Sequence, residues 1–230
     1  MKALISWEIA KVFKEKTGIS VVPLPPYHKL DNPVSSHADM LFCVLDNTIF
    51  CYEDYVKDNK LCNILKDLGY DIVFVSNECK KEYPYDISLN VLVMGKTIFC
   101  NKKYTSNEIL EYAEFNGYTI KNIKQGYSAC STLVLDSKNA ITSDPSVFNA
   151  LIELEKNVLL IDNSNIELKG YNCGFVGGST GAFNNKLYLF GELEYIQECD
   201  RFNKFVSDLD YVIEPILQGG VYDFGGVKFI

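Results

Sequence analysis

Arginine is nearly missing from this chain: of its 22 basic residues only Arg201 is one, and the net charge is −8. No basic run is longer than two residues. Phosphate backbones are bound by clustered cations, so nucleic acid is excluded as an expected partner. Histidine is almost as scarce, with only His28 and His37. Neither has neighbours at metal-ligand spacing, and no metal or cofactor is expected. Long apolar runs are lacking too. Nothing approaches a membrane span, and the opening "MKALISWEIAKVFKEKTG" is interrupted by Glu8, Lys11, Lys14 and Glu15, unlike a signal peptide. A cytoplasmic protein without a membrane partner is expected. The eight cysteines include no C-x-x-C pair, so neither a zinc site nor a redox pair is indicated. In a reducing compartment most of them should be small buried hydrophobes.

What the chain does have is repetition. Thr-Ile-Phe-Cys occurs at Thr48–Cys51 and again at Thr97–Cys100. After each copy comes a helix-like pattern, a Gly-Tyr pair (Gly69-Tyr70, Gly117-Tyr118) and a strand-like segment, "DIVFV" or "TIKNI". The glycines suit the left-handed position that closes a helix, and Thr105 with Glu108 forms an expected capping box. A strand precedes each copy, "DMLFCVLD" and "NVLVMG". The unit reads strand, turn, strand, helix, strand. Two more units follow. "STLVLDSKNAITSD" supplies two strands, and Asp144-Pro145 starts a helix that leads to "VLLID". "GFVGGSTGAFNNKLYLF" turns at Asn184-Asn185, and "YIQECDRFNKFVSD" and "YVIEPI" complete the unit.

Half a unit remains at each end. The N-terminus reads as an amphipathic helix ended by Gly18 and a strand "ISVVPL"; "GGVYDFGGVKFI" reads as two short strands around Gly225-Gly226. Joined, they make a fifth unit, which predicts a single domain over residues 1–230, closed into a ring by its own termini. The alternative is an ordinary α/β sandwich with accidental internal similarity.

Five strand-strand-helix-strand units resemble the pentein superfamily of guanidino-group-modifying enzymes, which includes arginine and agmatine deiminases, dimethylargininases and amidinotransferases. The chain looks most like a compact bacterial branch of that group. The resemblance implies an α/β, five-bladed propeller fold, with working groups in the loops that enter the first strand of each unit. Here those loops are "KLDNPVSSHAD", "SNECKKEYPYDISLN", "KQGYSACS", "DNSNIELKGYNCGFVGG" and "QGGVYDFGG". They are the longest and most Gly- and Asn-rich connections, and they should wall one pocket.

The resemblance also assigns candidate roles. The family's His-x-Asp fits His37 and Asp39, the first as proton shuttle and the second, projecting the same way along an extended chain, as a holder of the substrate guanidinium. "ACST" makes Cys130 the candidate nucleophile and the thiol expected to be most reactive, with Cys173 as its rival; Cys43, Cys51 and Cys100 read as core. The family's catalytic cysteine lies near the C-terminus, whereas no cysteine follows Cys199 here. Asp223 is the candidate second carboxylate, or a turn residue between glycine pairs. Tyr85, Asp86 and Asn90 are either pocket polar groups or a capped turn. The scarcity of arginine implies a substrate without a carboxylate, or one held by Lys124, Gln125 and backbone amides. "GFVGGSTG" lacks the Lys-Ser/Thr ending of a phosphate loop and reads as close backbone packing. His28 reads as part of a Pro-stiffened linker.

Two functions follow from these features. The first is a metal-free, cysteine-dependent hydrolase or transferase acting on a guanidino or amidino group of a small-molecule substrate. The second is a non-catalytic ring that binds a small molecule or a protein partner, as the superfamily's ribosome anti-association factor does.

Overall fold

The two Thr-Ile-Phe-Cys copies are the middle strands of equivalent sheets. In the computed structural model, which describes residues 1–230, the chain starts with β1 (Ala3–Ser6), α1 (Trp7–Thr17) and β2 (Val21–Leu24). A short turn of helix, α2 (Ala38–Leu41), then leads into β3 (Phe42–Leu45), β4 (Thr48–Cys51), α3 (Glu53–Asp58), α4 (Leu61–Asp67) and β5 (Asp71–Phe74). The third unit is β6 (Leu92–Met94), β7 (Thr97–Cys100), α5 (Asn107–Phe115) and β8 (Thr119–Asn122). The fourth is β9 (Thr132–Val134), β10 (Asn139–Thr142), α6 (Pro145–Ile152) and β11 (Asn157–Leu160). After β12 (Ile166–Glu167) come β13 (Thr180–Phe183), β14 (Lys186–Leu189), α7 (Cys199–Ser207) and β15 (Val212–Pro215), and the chain ends with β16 (Val221–Tyr222) and β17 (Val227–Phe229).

Five three-stranded sheets result, ordered β3-β4-β5, β6-β7-β8, β9-β10-β11, β13-β14-β15 and β17-β1-β2. In each, the first pair is antiparallel and the second parallel, the helix making the crossover. The middle strand has neighbours on both sides, which is why TIFC is apolar and buried almost throughout. Gly18, Gly69 and Gly117 follow their helices at φ +71°, +87° and +70°, the left-handed region that spares glycine a Cβ clash. Asp144 caps α6 by accepting from the Ser146 and Val147 amides, and Asn184-Asn185 turn with both φ positive.

Several expectations need correction. The N-terminus is not helical from its start: Ala3–Ser6 is a fully buried strand, and Ser6 caps a helix that begins at Trp7. "ISVVPL" therefore does not lie beside the C-terminal strands; β1 stands between β2 and β17. The C-terminal strands do not pair with each other either. β16 pairs with β12, while β17 pairs with β1, and the backbones of Lys2 and Ile230 exchange hydrogen bonds of 2.6 and 2.8 Å. The helix after Cys51 breaks at Lys60, which has φ +56°. The expected capping box is absent. Thr105 donates to the Asn101 carbonyl, and Glu108 accepts instead from the Ser76 amide and the Ser106 hydroxyl.

The first strands of all five sheets border one cavity of ≈ 330 Å³, with Val44, Val93, Val134, Ala182 and Phe229 among its walls. No helix is long and apolar enough to cross a membrane.

Candidate active site

Four of the predicted groups come together beside this cavity. His37 occupies the N-cap position of α2, and Asp39 and Met40 lie in that helical turn, so the residues are not on the extended chain expected from the sequence. Gly225, with φ +77°, packs directly on His37, where a Cβ would collide with the ring and backbone; its carbonyl accepts from the Asp39 amide at 3.3 Å. Asp223 is fixed more fully. Its Oδ2 accepts from the Phe175 amide and its Oδ1 from the Gly225 amide, each at 2.9 Å, and Oδ1 lies 3.7 Å from His37 Nδ1. Gly174 and Gly178 leave room for this carboxylate: a Cβ on either would strike it. The close backbone packing read in "GFVGGSTG" thus serves to seat Asp223. The β12–β16 pairing brings these two loops together, with Ile166 opposite Val221.

Cys130 sits in the turn before β9, and Asn90 holds it. The amide Nδ2 donates to Cys130 Sγ at 2.9 Å and to the Asp39 carbonyl at 3.2 Å, while Oδ1 accepts from the Ala129 amide at 2.8 Å. Ser128 secures the same junction, donating to the Asn90 and Phe99 carbonyls and accepting from the Leu92 amide. Asn90 is 1% exposed and its side-chain hydrogen bonds go to protein atoms, Cys130 Sγ among them. Burial raises the Cys130 thiol pKa well above its ordinary value, and the nearby Asp39 and Asp223 raise it further. Cys130 is 4% exposed, its sulfur meets Asn90 Nδ2 and Met40 Sδ with the Asp39 carboxylate nearby, and no hydrogen bond joins it to His37. Cys130 is therefore a buried thiol, where the sequence pointed to an exposed, readily alkylated one. Cys43, Cys51 and Cys100 are core, as read.

His37, Cys130 and Asp223 line a pocket of ≈ 260 Å³, walled by Met40, Tyr127, Phe175 and the half-buried Cys173. Asp39 does not line it; it faces the ≈ 330 Å³ cavity behind the sulfur. Both of its carboxylate oxygens are buried with no hydrogen bond of ordinary geometry, although the Cys130 thiol lies close enough to act on them. Burial pushes its pKa up to about 6, against the pull of His37, with Asp223 adding to the rise and Cys130 opposing it. An ionisable side chain kept buried and unpaired is costly, and such groups concentrate at functional sites.

The remaining candidates stand apart. Gln125 is consumed locally, donating to Asp144 at 2.6 Å and accepting from the Tyr127 amide at 2.9 Å. Asp86 accepts from the Tyr127 hydroxyl at 2.6 Å; its other oxygen is buried and unpartnered, and burial raises its pKa. It acts on the pocket through the Tyr127 ring. Tyr85 is exposed. Sequence reasoning missed Met40, Tyr127 and Phe175. Each is adjacent or nearly so to a mouth-loop glycine, cysteine or aspartate, but apolar residues in that position look like ordinary core. Outward, the pocket shares Leu168, Tyr171, Asn172 and Asp223 with a larger cleft of ≈ 900 Å³.

Residues 4–228 match the model of a family of unknown function, DUF6873. No curated protein matches the sequence. Among solved structures, a cysteine-to-serine mutant of dimethylarginine dimethylaminohydrolase from Pseudomonas aeruginosa, complexed with citrulline, superposes with a TM-score of 0.53 at 10% identity, covering 93% of this chain and 80% of that one. SxtG, an amidinotransferase of the saxitoxin pathway from Microseira wollei, gives 0.57 at 12% identity, covering 93% and 75%. The agmatine deiminase of C. jejuni gives 0.52 at 12% identity, covering 90% and 71%. These neighbours are pentein proteins, and the chain shares their fold.

Proposed function

The chain belongs to the family of unknown function DUF6873, and from that premise we propose that it is a metal-free, cysteine-dependent enzyme acting on a guanidino or amidino group. The observation that carries this reading is the Asp39 carboxylate, buried and unpartnered behind the Cys130 thiol, opposite the His37–Asp223 pair. A purely structural core would have replaced it with an apolar residue. The same reading takes the five like-ordered sheets and the β1–β17 pairing as one closed five-bladed ring, with the pocket at its mouth.

In this mechanism Asp223 receives the substrate cation at the pocket wall. The cation offsets the negative field of Asp39 and Asp223, which lowers the thiol pKa as substrate binds. The thiol proton passes to Asp39, whose pKa near 6 suits a general base. A sulfur–carbon bond forms at the amidine carbon, and His37 protonates the departing nitrogen as the carbon–nitrogen bond breaks. Ammonia or an amine leaves a thiouronium on Cys130. Water adds to this carbon as His37 takes back a proton from it, the sulfur–carbon bond breaks, Asp39 returns its proton to the thiolate, and the last proton on the ureido product passes to the released ammonia or amine. An amine in place of water gives group transfer. Met40, Tyr127 and Phe175 keep the intermediate from bulk solvent.

The test is a panel of guanidino compounds, scored for release of ammonia or urea and for thermal shift. Agmatine-like compounds should bind better than free arginine, because no arginine side chain lines the pocket or the adjoining cleft to hold a carboxylate. Cys130→Ser should abolish turnover and keep binding, while Asp223→Asn should weaken binding. Neither turnover nor a shift with any compound would leave the non-catalytic ring.

A further inference from the structure

The pocket beside Cys130 is too small for a whole substrate of ordinary size. At ≈ 260 Å³ it lies below the span of about 300–1,000 Å³ typical of sites that enclose drug-sized ligands, whereas the adjoining cleft, at ≈ 900 Å³, lies near the top of it. The two spaces adjoin, since Leu168, Tyr171, Asn172 and Asp223 border both. A molecule larger than the pocket, with its cationic head on Asp223, has the larger cleft as the neighbouring space for its body.

The chemistry of that cleft is specific. Trp7, Tyr171, Tyr222 and Phe224 give it aromatic walls, and Trp7 is 52% exposed at its rim. An exposed indole at the edge of a cleft is a ready stacking platform for a planar or cationic group. Beyond Asp223, the charged residues lining it are Glu8, Glu167 and Lys169, all exposed, so carboxylates outnumber the one cation. Such a wall repels an anionic substituent and accepts a neutral or cationic one.

We propose that this cleft is a second subsite of the same centre, which takes the body of the substrate, and that the substrate is a guanidino compound with a bulky aromatic, neutral or cationic body and not a free amino acid. This inference rests on the guanidino-group reading above and adds to it the class of molecule that bears the group. Stacking against Trp7 and Tyr222 supplies affinity beyond the head. Glu8 and Glu167 set the sign of charge tolerated at the far end.

Four probes separate the possibilities: agmatine, its N-benzoyl amide, and the 4-aminomethylbenzoyl and 4-carboxybenzoyl analogues of that amide. Affinities are read by calorimetry on the full chain, and on Cys130→Ser if the probes are turned over. The benzoyl amide should bind about tenfold more tightly than agmatine, a modest gain for a buried ring. The 4-aminomethyl compound should keep that gain and the 4-carboxy compound should lose it. Trp7→Ala should collapse the ratio between benzoyl amide and agmatine. Glu167→Gln, a mild change at an exposed position, should narrow the gap between the two charged analogues, and it decides the matter if Trp7→Ala folds poorly. Equal affinities across the four probes, or ratios untouched by both substitutions, would overturn the subsite while leaving guanidino recognition intact. Failure of every probe to bind would instead overturn the guanidino reading, and this inference with it.

Discussion

Asp39→Asn should change how the stability of this protein depends on pH. In the folded chain burial pushes the Asp39 carboxyl up to about 6 from an ordinary 3.8. Between those values the native state holds a proton that the unfolded chain has released. Stability therefore falls as pH rises through this window, and the cost is fully present above pH 6. The difference, 6 − 3.8, is about 2.2, and at about 1.36 kcal/mol for each tenfold change in proton affinity it amounts to about 3 kcal/mol. Asparagine does not titrate, so whatever its buried amide costs is a constant offset. Urea unfolding of both proteins at pH 4, 5, 6 and 7 separates the two contributions. From pH 4, where part of the cost is already present, to pH 7 the difference should swing toward the variant by about 2 kcal/mol, or about 4–8 °C in Tm for a chain of this length. The same substitution should abolish turnover at every pH, since the thiol loses its proton acceptor. Parallel stability curves would refute the reasoning, because they would mean that Asp39 is solvated or paired in the native protein and that no charge is held ready behind the sulfur.

Three further outcomes follow from the same geometry. With a mild alkylating agent near neutral pH, half-buried Cys173 should label before Cys130, whose thiol is shielded and protonated; peptide mapping by mass spectrometry reads the order, and Cys130 leading would contradict the resting state described. Gly178→Ala would drive a Cβ into the Asp223 carboxylate while the Gly178 backbone is tied to Cys130, Phe224 and Gly226, so it should cost about 1–3 kcal/mol and weaken guanidinium binding; calorimetric unfolding and titration check both. Removing residues 221–230 takes away β16, β17 and Asp223, and should abolish the single cooperative melt of the whole chain, whereas a truncated protein that melts like the full one would show that the β1–β17 pairing does not hold the ends of the fold together.

Much of the architecture was legible because its signals are local. Gly18, Gly69 and Gly117 end helices at positions where a left-handed residue is needed, Asp144-Pro145 starts one, and Asn184-Asn185 makes a turn whose positive φ angles few other residues tolerate. The two TIFC strands carry the apolar signature of a strand flanked on both sides. Local pattern misled where partners lie far away in sequence. Ala3–Ser6 has no alternation, because all four residues are buried, and next to a strong helix pattern it looked helical; only the C-terminal strand β17 on one side and β2 on the other make it a central strand. "VYDF" looked like half of a hairpin because its true partner, β12, lies more than fifty residues upstream.

The candidate site divides in the same way. Residue types and loop positions in the sequence pointed to His37, Asp39, Cys130 and Asp223, since a thiol, an imidazole and carboxylates in loops at equivalent places in a repeat can meet if the repeat closes on itself. Which of them faces the pocket was not in the sequence. Tertiary packing put Asp39 behind the sulfur, tied Gln125 to Asp144, and set the Asn90 amide against Cys130. It also set the state of the groups, because burial, with the charges packed around it, pushes the Asp39 carboxyl up to about 6 and raises the Cys130 thiol, and burial is a property of neighbours that the chain acquires only when it folds.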